Sequence, residues 1–234
     1  MSHTQTRPGS TPTSDSPSGR RPRGRPRRAE VAADVRARLL EVATRLFSER
    51  GFADVGIREI AREARVTPGM IAYYFGDKVG LSEAILDSVF ERLLEEVRAI
   101  AADTPHGGEP IEAFIHAYVR TVTRTPWIPQ FIVREVATRE GPLRRRFIER
   151  YGSRAAAIVP ALVAAEIRAG RVRADLDPRL AVISLVGMCI FPFIAAPIMA
   201  PVLGLEIDEA FPDRLIEHTR RLFLDGARRR EGAS

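Results

Sequence analysis

Cysteine is almost absent: Cys189 is the only one in 234 residues. An intramolecular disulfide, a paired-cysteine redox centre and a zinc site built on several cysteines are therefore excluded. No zincin, P-loop, dinucleotide-binding or nucleophile-elbow signature is present either. The four histidines are scattered along the chain, at His3, His106, His116 and His218. We therefore expect no catalytic residue, no metal site and no cofactor, and interpret the protein as something other than an enzyme.

Lysine is equally scarce, because Lys78 is the only lysine among 36 basic residues. The formal net charge is +6, and residues 1–28 account for all of it with seven arginines and one acid. Ser, Thr, Pro and Gly make up most of the rest of that segment, so it cannot offset the entropy of ordering. We predict that residues 1–29 form a disordered basic arm directed at a polyanion, either nucleic acid or an anionic membrane surface.

The alternating pattern of a β-strand is missing, and so is any internal repeat. Apolar residues make up 45% of the chain and recur at three- and four-residue spacing from Val31 onward, which is typical of amphipathic helices. The sequence therefore predicts an all-α protein with a substantial core. We expect a three-helix domain over residues 30–76, a helical bundle over residues 77–228 and a tail over residues 229–234.

Charge is missing from residues 180–205, a run that is long enough to cross a bilayer. Prolines at positions 192, 197 and 201 interrupt it, and proline tends to kink or end a helix. Such kinks also occur in membrane helices, so they do not decide the question. We favour a buried core helix or a dimer face, in a cytoplasmic protein without a membrane partner, and keep a membrane span as the alternative.

Residues 56–78 have the pattern of two short helices joined by a tight turn. Gly56 is an acceptable N-cap for the first, and Thr67-Pro68 reads as an N-cap followed by proline at the first helical position. Such a pair packs on a third helix, here residues 31–50, and leaves its second helix facing outward. That arrangement allows the outer helix to enter the major groove of DNA.

A recurring pattern runs through this segment in Ile60, Ala61, Ala64, Val66, Gly69, Ile71, Tyr74, Phe75, Lys78 and Leu81. In this pattern the segment resembles the TetR/AcrR family of transcriptional regulators. Residues 169–178 also look like that family's entry into its penultimate long helix. The resemblance implies a helix-turn-helix DNA-binding domain followed by a helical ligand-binding and dimerisation domain. It implies a homodimer on double-stranded operator DNA, acting as a repressor that a small molecule releases.

Three positions depart from the family pattern. Gly56 replaces the usual threonine cap, which is a small change in energy. Arg65 replaces the glycine of the turn, and a positive φ at that position would cost roughly 1 kcal/mol. Ala72 replaces an aromatic residue that often touches phosphate in relatives, so we expect one contact fewer there.

The resemblance also implies which side chains meet DNA. Tyr74 and Lys78 correspond to phosphate contacts, although Tyr74 could equally pack beside Phe75 and Lys78 could be an ordinary surface lysine. The helix has no Asn, Gln or Arg for reading bases, so we expect thymine-methyl contacts and DNA shape to contribute. The groove-facing residues are Thr67, Pro68, Gly69, Met70 and Tyr73.

The basic arm leads to a second hypothesis about DNA binding. Arg23 and Arg25 flank a glycine in an Arg-Gly-Arg-Pro sequence that resembles an AT-hook, which would read a narrow A·T-rich minor groove. The alternative is nonspecific attraction to phosphates. If the arm dominated binding, the protein would be an architectural minor-groove binder, and this is the alternative function.

The predicted helical bundle over residues 77–228 contains candidate residues for a ligand pocket and for a dimer interface. We predict a homodimer through the helices that follow Asp177 and Pro212. We also predict a pocket for a small apolar or amphipathic ligand, although each candidate could be ordinary core. The candidate lining residues are Phe114, Tyr118, Trp127, Phe131, Met188 and Phe191.

Overall fold

A computed structural model describes residues 28–103, 109–138 and 140–227. These residues form ten α-helices and no β-strand, so the all-α prediction is confirmed. Two π-helical segments, Ile132–Ala137 and Ile148–Gly152, continue α6 and join α7 to α8. The helices are α1 Arg28–Arg50, α2 Ile57–Glu63, α3 Pro68–Phe75, α4 Lys78–Asp103, α5 Pro110–Arg124, α6 Ile128–Phe131, α7 Pro142–Phe147, α8 Ser153–Arg168, α9 Pro178–Leu203 and α10 Phe211–Ala227.

The predicted domain limits fall close to element limits. Helix α1 begins at Arg28, so the last two residues of the predicted arm belong to this helix. Arg23 and Arg25 and the predicted tail lie outside the described residues.

Helices α1, α2 and α3 pack with the first half of α4 around one core. Its fully buried side chains include Leu39, Ile60, Ile71 and Leu81, one from each helix. Each such side chain contributes about 1.5–3 kcal/mol through its removal from water. Helix α3 is therefore packed against this core on one side and exposed to solvent on the other.

The turn between α2 and α3 contains a strained residue. Arg65 has a φ of 55°, a positive value that no other non-glycine residue in the described part of the chain adopts. The Val66 amide donates to the Ala61 carbonyl at 2.9 Å and closes the turn. The turn therefore does impose a positive φ on the residue that replaces glycine, at a cost of roughly 1 kcal/mol for a side chain with a Cβ.

A second core joins the rest of α4 to α5, α8, α9 and α10. Val97, Ile115, Leu162, Leu185 and Ile216 are buried there, one from each helix. Helix α4 therefore contributes to both cores along its 26 residues and connects the two parts of the molecule mechanically.

The first core extends beyond residues 30–76. Ile128, Phe131, Val136, Leu143 and Tyr151 belong to the same buried cluster as the side chains of α1–α3. The segment from α6 to the second π-helical segment therefore packs against the N-terminal helices. The three-helix domain is supported by the body rather than linked to it only through α4.

Helix α9 is uncharged from Leu180 to its end, and its buried residues are Ala181, Leu185 and Cys189. It begins where the Asp177 carboxylate accepts hydrogen bonds from the Arg179 and Leu180 amides. Only 11% of its most apolar window is buried, and among the described residues it is the one helix long and apolar enough to cross a membrane. The expectation of a helix buried in the core of this chain is therefore wrong, and the dimer face and the membrane span are the two expectations that agree with this exposure. Its large exposed side chains include Leu180, Ile183, Phe191, Ile198, Val202 and Leu203.

Candidate nucleic-acid interface and ligand cavity

Helix α3 presents one face to solvent. Thr67 occupies the N-cap position in an extended conformation, without a side-chain hydrogen bond to the helix, and Pro68 is the first residue, as expected. Gly69, Met70 and Tyr73 lie on one face because they are spaced by three or four residues. Tyr73 is 78% exposed, whereas Met70 is half-buried against the first core. The predicted groove-facing residues therefore lie together on an accessible surface.

Tyr74 lies between the exposed face and the core. Its ring packs edge-on against Tyr73 at a centroid distance of 4.9 Å and contacts the first core. Tyr74 therefore does pack in the core, which the sequence offered as the alternative to a phosphate contact. Its role toward phosphate stays a prediction.

Lys78 occupies a partly buried position at the start of α4. Its Nζ lies 4.2 Å from the centroid of the Phe52 ring, within the range of a cation–π interaction. Burial lowers the pKa of Lys78, and the negative charges of Glu135 and Asp54 oppose that shift. Because the amine is held at a junction between the two parts of the molecule, an ordinary solvated surface lysine does not describe it.

Two arginines beside α3 were not among the predicted DNA contacts. The Arg36 guanidinium of α1 lies 5.2 Å from the centroid of the Phe75 ring, and Arg65 is exposed in the turn before α3. Arg36 therefore brings a positive charge against α3, and Arg65 carries one in the turn that precedes it. In a chain with so many arginines, their tertiary position alone distinguishes them.

A cavity of about 310 Å³ lies between α4, α5, the α7–α8 region and α9. Two of the six predicted ligand-binding residues, Phe114 and Tyr118, form part of its wall. The other lining residues are Phe90, Leu93, Leu94, Val97, Phe147, Tyr151, Gly152, Ala155, Ala156, Val159, Val182 and Val186. The wall is therefore apolar apart from two tyrosine hydroxyls.

The other four predicted ligand-binding residues lie outside this wall. Trp127 and Phe131 pack edge-to-face at 5.7 Å in the first core, because α6 supports the N-terminal helices. Phe191 is 60% exposed on α9, and Met188 is half-buried on the same helix. The structure does not bring these side chains to the cavity.

Three ion pairs connect α4 to the helical path of α7 and α8 beside the cavity. The partners recur every four residues on both helices, which matches about one helical turn per step. The Tyr151 hydroxyl donates to the Asp87 carboxylate in the middle of this series, so one residue belongs to both the cavity wall and the ion-pair series. The pairs are Arg146–Glu83 at 2.8 Å, Arg150–Asp87 at 2.6 Å and Arg154–Glu91 at 2.5 Å.

The first π-helical segment contacts the loop between α1 and α2. The Arg134 guanidinium lies 3.7 Å from the Asp54 carboxylate and donates to the Arg50 carbonyl at 3.4 Å. It also covers Gly51, where a Cβ would collide with the guanidinium. Arg134 therefore forms a direct contact between the C-terminal part of the chain and the N-terminal helices, in addition to the connection through α4.

Family comparisons agree with this architecture. The profile described as "Bacterial regulatory proteins, tetR family" matches residues 39–85. The profile described as "HTH-type transcriptional dual regulator CecR, C-terminal domain" matches residues 109–227, about half of the chain. The chain is 37% identical over 88 residues to the HTH-type transcriptional regulator HbdR of Aromatoleum sp. (strain CIB), which is 38% of this chain and 37% of the relative. That match spans little more than a third of the relative's length.

Solved structures show the same fold over most of the chain. A TetR/AcrR-family regulator from Thermobifida fusca YX-ER1 superposes with a TM-score of 0.58 at 27% identity, over 84% of this chain and 100% of the other. A SmeT–triclosan complex superposes with a TM-score of 0.63 at 17% identity, over 80% and 90% of the two chains, and shows the fold alone. The named relatives are regulators rather than enzymes. The chain belongs to the TetR family.

Proposed function

We propose that the protein is a homodimeric transcriptional regulator that represses by binding operator DNA and is released by a small apolar ligand. The observation that carries this proposal is the exposed face of α3, with Tyr73 at its centre, held on a three-helix core. A helix presented in this way can enter a major groove about 12 Å wide.

DNA recognition would use few hydrogen bonds to bases. Thr67, Pro68, Gly69, Met70 and Tyr73 are small, apolar or aromatic, so contact with thymine methyls and DNA shape would carry most of the specificity. Tyr74 and Lys78 would contact phosphates, with Arg36 and Arg65 adding positive charge. For Lys78 this requires its amine to leave the Phe52 ring, which lies 4.2 Å away.

Dimerisation through α9 and α10 would cover the exposed apolar face. Helix α9 exposes Leu180, Ile183 and Phe191, and α10 exposes Leu222. A two-fold interface uses the same patch on both subunits, and it would set two copies of α3 about one helical turn of DNA apart, roughly 34–36 Å.

Ligand release would act through α4, which begins beside the DNA-binding helices and lines the cavity. A ligand that prefers a different position of α4 would alter the spacing of the two α3 helices. A coupling of about 1–3 kcal/mol lowers DNA affinity roughly 5- to 150-fold. The SmeT structure, solved with triclosan, supports a ligand site in this fold.

The architectural alternative is not favoured, because the exposed Tyr73 on α3 supports a major-groove element besides the arm. A regulator of this kind acts on chromosomal DNA, so we place it in the cytoplasm and assign α9 to the dimer rather than to a membrane.

A footprint together with a fluorescence-anisotropy titration on the DNA upstream of the protein's own gene tests the proposal. We expect compact, two-fold-symmetric protection with nanomolar-range affinity. Diffuse A·T-rich protection would favour the architectural function instead. Absence of DNA binding would contradict both and return α9 to the membrane alternative.

Removal of residues 1–27 should weaken the salt dependence of DNA binding while leaving α1 intact. The segment carries six arginines and one acid, and each phosphate that the protein no longer neutralises lowers the slope of log K against log salt by about 0.9. We expect the slope to fall by several units. A full-length variant with serine at these arginines controls for chain length. An unchanged slope in both variants would show that the arm does not contact DNA.

A further inference from the structure

The cavity contains one polar group without a partner. Tyr118 lines it beside Phe114, with ring centroids 5.7 Å apart, and its hydroxyl forms no hydrogen bond within the part of the chain that the structure describes. The other hydroxyl in the wall, that of Tyr151, donates to Asp87. A hydroxyl in an apolar cavity without a partner is costly, so Tyr118 has a donor available for a ligand.

Charged groups are missing from the cavity wall. None of the residues that line it is Asp, Glu, Lys, Arg or His. Asp87 and Glu91, on the helix α4 that contributes to the wall, are already paired with arginines. Burial strongly raises the pKa of Tyr118 and raises the pKa of the adjacent Cys189 thiol to about 12, so both groups are neutral at pH 7. An ionised ligand would therefore lose its hydration without gaining a partner.

The volume limits the size of the ligand. A water molecule occupies about 30 Å³ of liquid, and a non-hydrogen atom of a packed organic ligand occupies a similar volume. The cavity of about 310 Å³ therefore holds about ten such atoms, as in one substituted ring or a medium-length chain. Larger ligands would require the helices to move apart.

We infer that the cavity selects a neutral, mostly apolar molecule of about ten non-hydrogen atoms with one hydrogen-bond-accepting oxygen. The Tyr118 hydroxyl donates the hydrogen bond that recognises this oxygen. The inference rests on the proposed function in one respect, since it takes this cavity as the effector site. It adds the chemical class of the ligand and the residue that determines specificity.

Three probes of nearly identical shape test the ligand class on the full chain. They are 4-ethylacetophenone, 1-ethyl-4-isopropylbenzene and 4-ethylbenzoate, which differ in presenting a carbonyl, a hydrocarbon branch or a carboxylate. Calorimetric titration at pH 7 measures the ketone and the carboxylate, and competition with the ketone measures the hydrocarbon. We expect the ketone to bind about 3- to 10-fold more tightly than the hydrocarbon, and the carboxylate at least about 100-fold more weakly than the ketone.

The substitution Tyr118→Phe tests the anchor. It removes only the hydroxyl, so the preference for ketone over hydrocarbon should disappear while hydrocarbon affinity stays the same. The matched control is Tyr151→Phe, in which the ketone-to-hydrocarbon ratio should persist because that hydroxyl is engaged by Asp87. Thermal unfolding of both variants verifies that they fold.

Other results would overturn the inference: absence of ketone binding, carboxylate affinity equal to that of the ketone, or a ketone preference that survives Tyr118→Phe. Anisotropy on operator DNA provides a separate readout. If the ketone bound through Tyr118 but left the DNA complex intact, the ligand class would stand and release by this cavity would be wrong. If DNA were released by a compound whose binding did not depend on Tyr118, the regulatory function would stand and the inference would fail.

Discussion

Replacement of Ile183 by glutamate should turn the proposed dimer into a monomer and lower operator affinity by at least about 100-fold. Ile183 is 68% exposed on α9, and Leu180 and Phe191 lie on the same stripe because they are spaced by about one and two turns from it. A two-fold interface would bring both copies of the new carboxylate into one apolar contact. Burial of an unpaired charge there costs several kcal/mol.

The decrease in affinity follows from the absence of bivalency. In a dimer, the second α3 binds its half-site at an effective concentration set by the first, commonly in the millimolar range. A monomer has only the contacts of one α3, and each factor of ten in affinity corresponds to 1.4 kcal/mol. The expected decrease is therefore large even though Ile183 is far along the chain from α3.

Sedimentation velocity and anisotropy measure the two effects independently. The matched control is Ile148→Glu, since Ile148 is also an exposed isoleucine, at 51%, but lies on the second π-helical segment. It should remain a dimer and bind DNA normally. A dimeric Ile183→Glu variant with unchanged affinity would place the interface elsewhere and leave the apolar face of α9 for another partner.

The helices and the helix-turn-helix could be predicted from the sequence because their signals are local. Apolar spacing and the Thr67-Pro68 start each depend on a few neighbouring residues. The same is true of the Asp177 cap on α9. Local preference and tertiary packing agree at these positions, so a short stretch of sequence is sufficient to identify them.

The candidate ligand site was predicted only in part because its signal is tertiary. Phe114 and Phe131 both have the helical spacing of buried aromatic residues, yet one lines the cavity and the other supports the DNA-binding helices. Periodicity shows that a side chain is buried, but it does not show which of two cores it enters. The contact of Arg134 with the α1–α2 loop and the ion pairs beside the cavity have the same origin, since their partners are distant in sequence.

The substitution Gly69→Glu should separate folding from DNA binding most clearly, because the two effects have opposite signs. A Cβ at Gly69 would meet only the Thr67 hydroxyl, at 3.9 Å, so the side chain fits. Replacing a helical glycine stabilises by about 0.5–1 kcal/mol, and an acid in the first turn of a helix is favourable. The free energy of unfolding should therefore rise.

DNA affinity should fall at least about 100-fold in the same variant. Position 69 lies on the exposed face of α3 beside Tyr73, so a dimer would present two new carboxylates to the phosphates and base edges. Each half-site needs to lose only about 1.4 kcal/mol for this result. Urea denaturation and anisotropy give the two quantities on one preparation.

Two further variants distinguish charge from shape. Ala161→Glu adds the same charge at an exposed position of α8 and should leave DNA affinity almost unchanged, because exposed charges more than about 10 Å apart are largely screened at 0.1 M salt. Gly69→Ala adds the Cβ without the charge, so any decrease in its affinity measures how closely the α3 backbone approaches the groove. If Gly69→Glu were more stable and still bound the operator at full strength, α3 would not be the DNA-reading element, and the basic arm would become the stronger candidate.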